Sequence, residues 1–402
     1  MMGTCQAGMA TEQVARCVTR EEGMAAGQYQ PLIKVIGVGG GGSNAIDRMI
    51  HVGIPGVQFI AANTDAQALS LSEARYKVQL GPQITGGLGA GGDPAIGAKA
   101  ARESAEQLCE AVRGAEILFV ALGLGGGTGT GAAPVIAELA RQMGTLAIAV
   151  ATLPFGFEGQ KRKDTAREGL RALAATADTM VAISNDRLLE FIEEQTSLDI
   201  AFRIADDVLR QGIQGVAELV TSTGVINLNL MHVKKILHKA GPALMSIGQA
   251  RGEDRAIEAA QLAIASPITQ LSSIAGASAI LVNVTGGDDL TLDEVQEAVS
   301  TVAGVASPDA DVFFGATVDS NMGQQLQVML IAVGMNGRSS VTVSDSPVSD
   351  RAPSHGPLAS MRAGQAAALD LLESQQAMDL YDLDVPTFLR RRRLARMGED
   401  TP

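Results

Sequence analysis

The chain has 402 residues, enough for about two folded domains with extensions at roughly 100–200 residues per domain. Its 31 Lys and Arg against 44 Asp and Glu give a net charge of −13, which argues against a basic face for nucleic-acid backbones. No apolar run approaches the roughly 20 residues of a membrane span, and the three cysteines (Cys5, Cys17, Cys109) lack the spacing of a disulfide framework or a zinc site. With no charged-then-apolar leader pattern at the start, the expectation is a soluble cytosolic protein that binds no nucleic acid.

Residues 1–30 show no sustained period and read as a flexible extension. From Leu32 to Val38 an apolar run of strand length leads into glycines 39–42, after which Ile46, Met49 and Ile50 fall at helical spacing. Strands at Val57–Ala62, Ile117–Ala121, Leu146–Thr152 and Thr179–Ile183 alternate with helices at 132–142 and 160–176. That alternation predicts an α/β domain over 31–198, a Rossmann-like parallel sheet covered on both faces. A long core helix over 199–223 follows, with Ile204, Val208, Val216, Leu219 and Val220 as candidate core positions.

A smaller α+β domain is expected over 224–337, with helices at 232–247, 253–265 and 291–303 and strands at Ala279–Thr285, Val312–Val318 and Leu326–Val333. The last two strands flank Asp319–Gln324, a short polar connection that suggests a hairpin. Residues 338–379 are rich in Ser, Pro, Ala and Gln and read as a linker, and 380–402 as a short ordered peptide with a basic tail.

Glycine carries the chemistry. Gly37-Val-Gly39-Gly-Gly-Gly42 lies between a strand and a helix and matches GxGxxG, where glycines let a phosphate approach backbone at a helix N-terminus. Alone, this loop fits a nicotinamide dinucleotide, with Asp65 as the ribose acid, as well as it fits a turn without ligand. Gly125-Gly-Gly-Thr128-Gly-Thr130-Gly131 is far more specific: successive backbone N–H groups and two hydroxyls form a concave anion site at a positive helix end. With Thr85–Gly92 there are three glycine loops at strand ends in one domain, as a triphosphate wrapped by backbone amides requires.

This set resembles the tubulin/FtsZ family, in its FtsZ branch, from about Pro31 to Met335 and again at 381–390. The resemblance implies a GTP- or GDP-binding domain, with Mg2+ allowed beside the nucleotide, in a protein that polymerises head-to-tail into filaments of a division ring. Carried over by position, Gly40, Gly41 and Asn44 sit at the phosphates and base, Ala90 and Gly91 in the γ-phosphate-sensing loop, and Gly127, Thr128 and Gly129 in the phosphate loop. Glu158 and Arg162 of the Pro154–Arg162 stretch become the ribose acid and its basic companion, and Asn185 a further nucleotide contact. Phe202 and Asp207 match the guanine site, where a carboxylate accepts from N1–H and the 2-amino group, a pairing adenine lacks.

One stretch departs from the family. Its pattern NxDxxD supplies, from a neighbouring subunit, two aspartates that polarise the attacking water; here Asn227 is kept, but Asn229 and His232 stand in place of both acids. Asparagine is not a useful base and histidine reaches differently, so hydrolysis is expected to be impaired by roughly 10²–10⁴-fold while binding survives. The alternative is a non-hydrolysing relative that co-polymerises with, or regulates, an ordinary FtsZ. In the tail, Asp384 and Pro386 favour a helix start, and Phe388 and Leu389 share a face with Val385. This peptide resembles the family's ligand for membrane-tethering and regulatory division proteins, which implies a cytoplasmic location at the septum, beneath the membrane.

Overall fold

The computed structural model describes residues 32–334, except 55, 189–197, 222–229, 239, 266–273 and 275. The first half is built on six parallel strands. β1 (Ile33–Val38) is buried along its whole length between β2 (Val57–Asn63) and β4 (Ile117–Gly123), with Ile33 in register with both Val57 and Ile117. β3 (Tyr76–Gln79) lies beyond β2; β5 (Leu146–Leu153) and β6 (Thr179–Ser184) follow β4. Apolar side chains alternate between two faces. Ile33 and Val35 join one core with Ile46 and Met49, while Ile36 and Val38 join the other with Ile136 and Leu170.

The helices between these strands are α1 (Gly39–Val52), α2 (Ala66–Leu71), α3 (Pro82–Thr85), α4 (Pro94–Glu103), α5 (Ala105–Val112), α6 (Thr128–Gln142), α7 (Gln160–Thr176) and α8 (Asn185–Leu188). α1 begins at the first glycine of its loop, and α6 begins four residues before the expected 132, inside the glycine run. Because the strands are parallel, every loop that leaves a strand's C-terminal end emerges at one edge of the sheet.

The 24-residue α9 (Leu198–Thr221) is about 36 Å long at 1.5 Å per residue and packs against α1. Its buried line is Ala201, Ala205, Leu209, Ile213, Val216 and Ala217. Ile204 and Val208, expected in the core, lie on the margin of that line and are half-buried.

After α10 (Leu230–Leu237) the structure overturns the expected helix over 232–247. Residues Gly241–Arg251 form the strand β7. Gly241 adopts a left-handed φ of 71° and Pro242 has no N–H to donate, so the helix cannot continue through them. The apolar run Ala243–Met245 carried no period to distinguish strand from helix; pairing with later strands decides it.

α11 (Arg255–Ala265), β8 (Ala279–Gly286), α12 (Leu292–Ala303), β9 (Asp311–Val318) and β10 (Gln325–Val333) complete the second half. The expected β9–β10 hairpin is also absent. The order β7-β10-β8-β9 places β8 between them, antiparallel to β10 and parallel to β9. The connection crosses the end of β8: the Asp319 N–H donates to the Gly286 carbonyl at 2.8 Å, and a side chain at Gly287 would overlap the Gly323 carbonyl oxygen. β7 also pairs in parallel with β6 through Thr179–Val181 and Gly241–Ala243, which joins both halves into one ten-stranded sheet.

Candidate functional site

The three glycine loops meet at the C-terminal edge of the parallel strands. A Cβ on Gly39 would lie 2.9 Å from the Gly129 nitrogen, and one on Gly129 would lie 2.8 Å from the Gly123 carbonyl oxygen. A Cβ on Gly127 would approach the Asp93 nitrogen to 2.8 Å and the Ala90 Cβ to 3.0 Å. Only glycine permits this approach, so Gly40, Gly41, Ala90, Gly91 and Gly127–Gly129 form one surface.

Gly40, Gly41, Asn44 and Gly91 are exposed, and nothing stands within 4 Å of where a Gly40 or Gly91 side chain would project. Neither α1 nor α6 has a side-chain N-cap or an acid in its first turn. Two helix N-termini therefore present uncapped N–H groups to the same space, an arrangement suited to an anion.

Thr64 ties the loops together from below. Its fully buried hydroxyl lies 2.6 Å from the Thr128 hydroxyl, and its carbonyl accepts from the Gly89 N–H at 3.3 Å. Thr130 Oγ1 accepts from the Gly125 N–H at 2.9 Å and closes the glycine run on itself.

Beside this surface lies a more apolar wall. Phe155 is buried, stacked on Phe157 at 5.1 Å between ring centroids and edge-on to Phe202 at 5.2 Å. Glu158 Oε1 accepts from the Phe155 N–H at 2.8 Å, and its Oε2 accepts from Arg162 Nη1 at 2.5 Å. Asn185 is buried, and its Oδ1 has no hydrogen-bond partner among the described residues. A buried amide oxygen left unpaired calls for a donor from elsewhere.

The acidic pair on α9 divides its work. Asp207, expected at the base, has its carboxylate occupied within the helix, accepting from Arg210 Nε at 2.7 Å and Gln211 Nε2 at 2.6 Å. Asp206, which the sequence reading passed over, lies four residues from Phe202 and so shares its face. It pairs with Arg48 of α1 at 2.8 Å, one helical turn from Asn44. Burial pushes its carboxyl up to about 6; Arg48 pulls it down and Asp207 adds to the rise. The signal available in sequence was that spacing of four against five.

His232 lies far from this surface. It is exposed on α10, with its ring 6.2 Å from that of Phe313. Lys234 of α10 and His238, which follows it, reach Glu116 and Asp178, which precede β4 and β6, at 2.5 and 3.0 Å. α10 therefore sits at the opposite edge of the sheet, about 20 Å away along the seven residues of β4. Asn229 lies outside the described residues, as do Asp384, Pro386, Phe388 and Leu389.

Residues 32–193 match the family model described as "Tubulin/FtsZ family, GTPase domain", and residues 241–336 match "FtsZ family, C-terminal domain". Among solved structures, the chain is similar to an empty FtsZ dimer from M. jannaschii, with 39% identity and a TM-score of 0.74 over 83% of this chain and 93% of that one. A mutant FtsZ from M. jannaschii is 40% identical, with a TM-score of 0.73 over 82% and 96%. CetZ2 from Haloferax volcanii, solved as a GTPγS-bound protofilament, shares the fold at 22% identity and a TM-score of 0.65 over 85% and 99%.

Proposed function

The chain belongs to the tubulin/FtsZ family, and on that premise we propose that it is an FtsZ-type protein that binds GTP and polymerises head-to-tail into filaments of a division ring. One observation carries the reading: the glycine loops and α10 stand at opposite edges of the same sheet. A single copy cannot bring His232 to its own loops, whereas a head-to-tail contact would set α10 of one copy against the loops of the next. The relative from M. jannaschii is itself described as a dimer, which supports self-association.

The residues fit a nucleoside triphosphate. Uncapped N–H groups at Gly40, Gly41 and 127–129 would hold phosphates, with Ala90 and Gly91 beside the terminal one. Glu158 and Arg162 would flank the ribose, and Asn44, Asn185, Phe202 and Asp206 would meet the base. Mg2+ beside the nucleotide would be held chiefly by the phosphates and water.

Hydrolysis at the subunit interface is weak in the homopolymer, because Asn229 and His232 replace the two acids. That same substitution favours a second reading, a non-hydrolysing member that co-polymerises with an ordinary FtsZ. In either case the tail peptide at Asp384–Leu389 docks on membrane-tethering and regulatory proteins, which holds the filament in the cytoplasm beneath the membrane at the division site. The test is GTP turnover of the unmodified protein against Asn229→Asp with His232→Asp, at matched polymer mass. A rise of about 10²–10⁴-fold is expected; equal rates would show that the carboxylates are dispensable here.

A further inference from the structure

Thr64 is buried with no exposed surface, and it belongs to neither glycine loop. Among the described residues its Oγ1 has one hydrogen-bond partner, Thr128 Oγ1 at 2.6 Å. Two hydroxyls at that distance share one hydrogen, and burial decides which donates it. If Thr128 donated, the Thr64 hydrogen would be buried without an acceptor, a cost comparable to losing a hydrogen bond. Thr64 therefore donates, which leaves the hydrogen of the half-exposed Thr128 hydroxyl free to point out of the phosphate loop.

The backbone of Thr64 faces the other loop. Its carbonyl accepts from the Gly89 N–H at 3.3 Å, and the next residues continue the link, with the Ala66 N–H donating to the Gly87 carbonyl at 3.0 Å. One residue thus holds the loop of Ala90 and Gly91 through its carbonyl and the loop of Thr128 through its hydroxyl.

We propose that Thr64 is a positioning residue for the triphosphate: it aims the Thr128 hydroxyl hydrogen at a phosphate oxygen and makes that aim depend on the seating of the 85–92 loop. A diphosphate leaves that loop without its contact, so Thr64 matters more for GTP than for GDP. The inference rests on the reading of Thr128 as a phosphate contact, and the experiment separates the two.

Affinities for GDP and a non-hydrolysable GTP analogue are measured by calorimetry on the full chain carrying Thr64→Val, Thr64→Ser, Thr128→Val, or both valines. Thr64→Val should weaken the triphosphate about ten-fold and GDP by less than about three-fold, and Thr64→Ser should restore both. The double variant should bind no more weakly than Thr128→Val alone. Equal losses for both nucleotides, additive losses in the double variant, or failure of serine to rescue would overturn the role of Thr64. No loss with Thr128→Val would instead remove Thr128 from the phosphates, and with it the premise. Should the valine at 64 not fold, Thr64→Ala carries the same comparison.

Discussion

Arg48 of α1 and Asp206 of α9 meet at 2.8 Å, and this ion pair links the helix that opens in the first glycine loop to the long helix leading toward Asn229 and His232. The Asp206 side chain is 15% exposed and the Arg48 side chain 36%, so the carboxylate bears most of the desolvation and the guanidinium keeps part of its hydration. Asp206 therefore joins α9 to α1 through a carboxylate whose burial Arg48 only partly offsets, and it lies at the rim of the proposed base site.

The first expected outcome separates the two acids. Asp206→Asn should weaken GTP binding by about 1–3 kcal/mol and relax discrimination against other purine nucleotides, because an amide presents a mixed edge to guanine. Asp207→Asn should change affinity by less, since its five-residue spacing from Phe202 takes it off the helix face that Asp206 shares with that ring. Competition binding with GTP, inosine triphosphate and ATP reads both; a larger loss at Asp207 would return the base contact to that residue.

Stability against pH follows from the same burial. A carboxyl raised from 3.8 to about 6 in the fold contributes stability below about pH 4 that is lost as pH rises through 6. Asp206→Asn should thus be the more stable protein above pH 6, by at most about 3 kcal/mol at 1.36 kcal/mol per pKa unit, with the difference closing toward pH 4. Urea unfolding of both proteins from pH 4 to 7.5 measures it. A pH-independent difference would assign the effect to packing.

In mixed filaments the effect of Asn229 and His232 should run in one direction. An ordinary FtsZ carrying two aspartates should restore hydrolysis of the GTP bound to this protein, whereas this protein should leave its neighbour's GTP uncleaved. Single-turnover assays with labelled GTP preloaded on one species resolve the two cases. Symmetric rates would mean that each pocket supplies its own catalytic groups.

The crossing over β8 makes a steric forecast. Gly287→Ala should lower stability by about 1–3 kcal/mol, because its methyl would meet a backbone oxygen of Gly323 that cannot swing aside. GTP affinity should stay unchanged, since Gly287 lies in the second half of the chain. Urea unfolding with parallel nucleotide titration checks both statements.

Much of the first half was legible in the residues themselves. Strand-length apolar runs alternating with helical spacing predicted the parallel sheet, and parallel strands send their following loops to one edge. Three glycine clusters at those ends were enough to point to a phosphate-bearing ligand. These features depend on residues within a few positions of one another, where spacing carries the information.

What tertiary structure alone decided depends on pairing between distant segments. Gly241–Arg251 becomes a strand because β10 and β6 stand ready to pair with it, and β8 separates β9 from β10 through registers set some 30–50 residues away. Asp206 and not Asp207 meets Arg48 because α1 packs against α9, which sets that guanidinium beside one acid while the other turns to Arg210 and Gln211 of its own helix. Thr64 gains its place between two loops only when β2, β4 and the 85–92 segment are assembled. Hydrogen-bond partners far apart in the chain are selected by burial and strand register, and neither quantity is written in the local sequence.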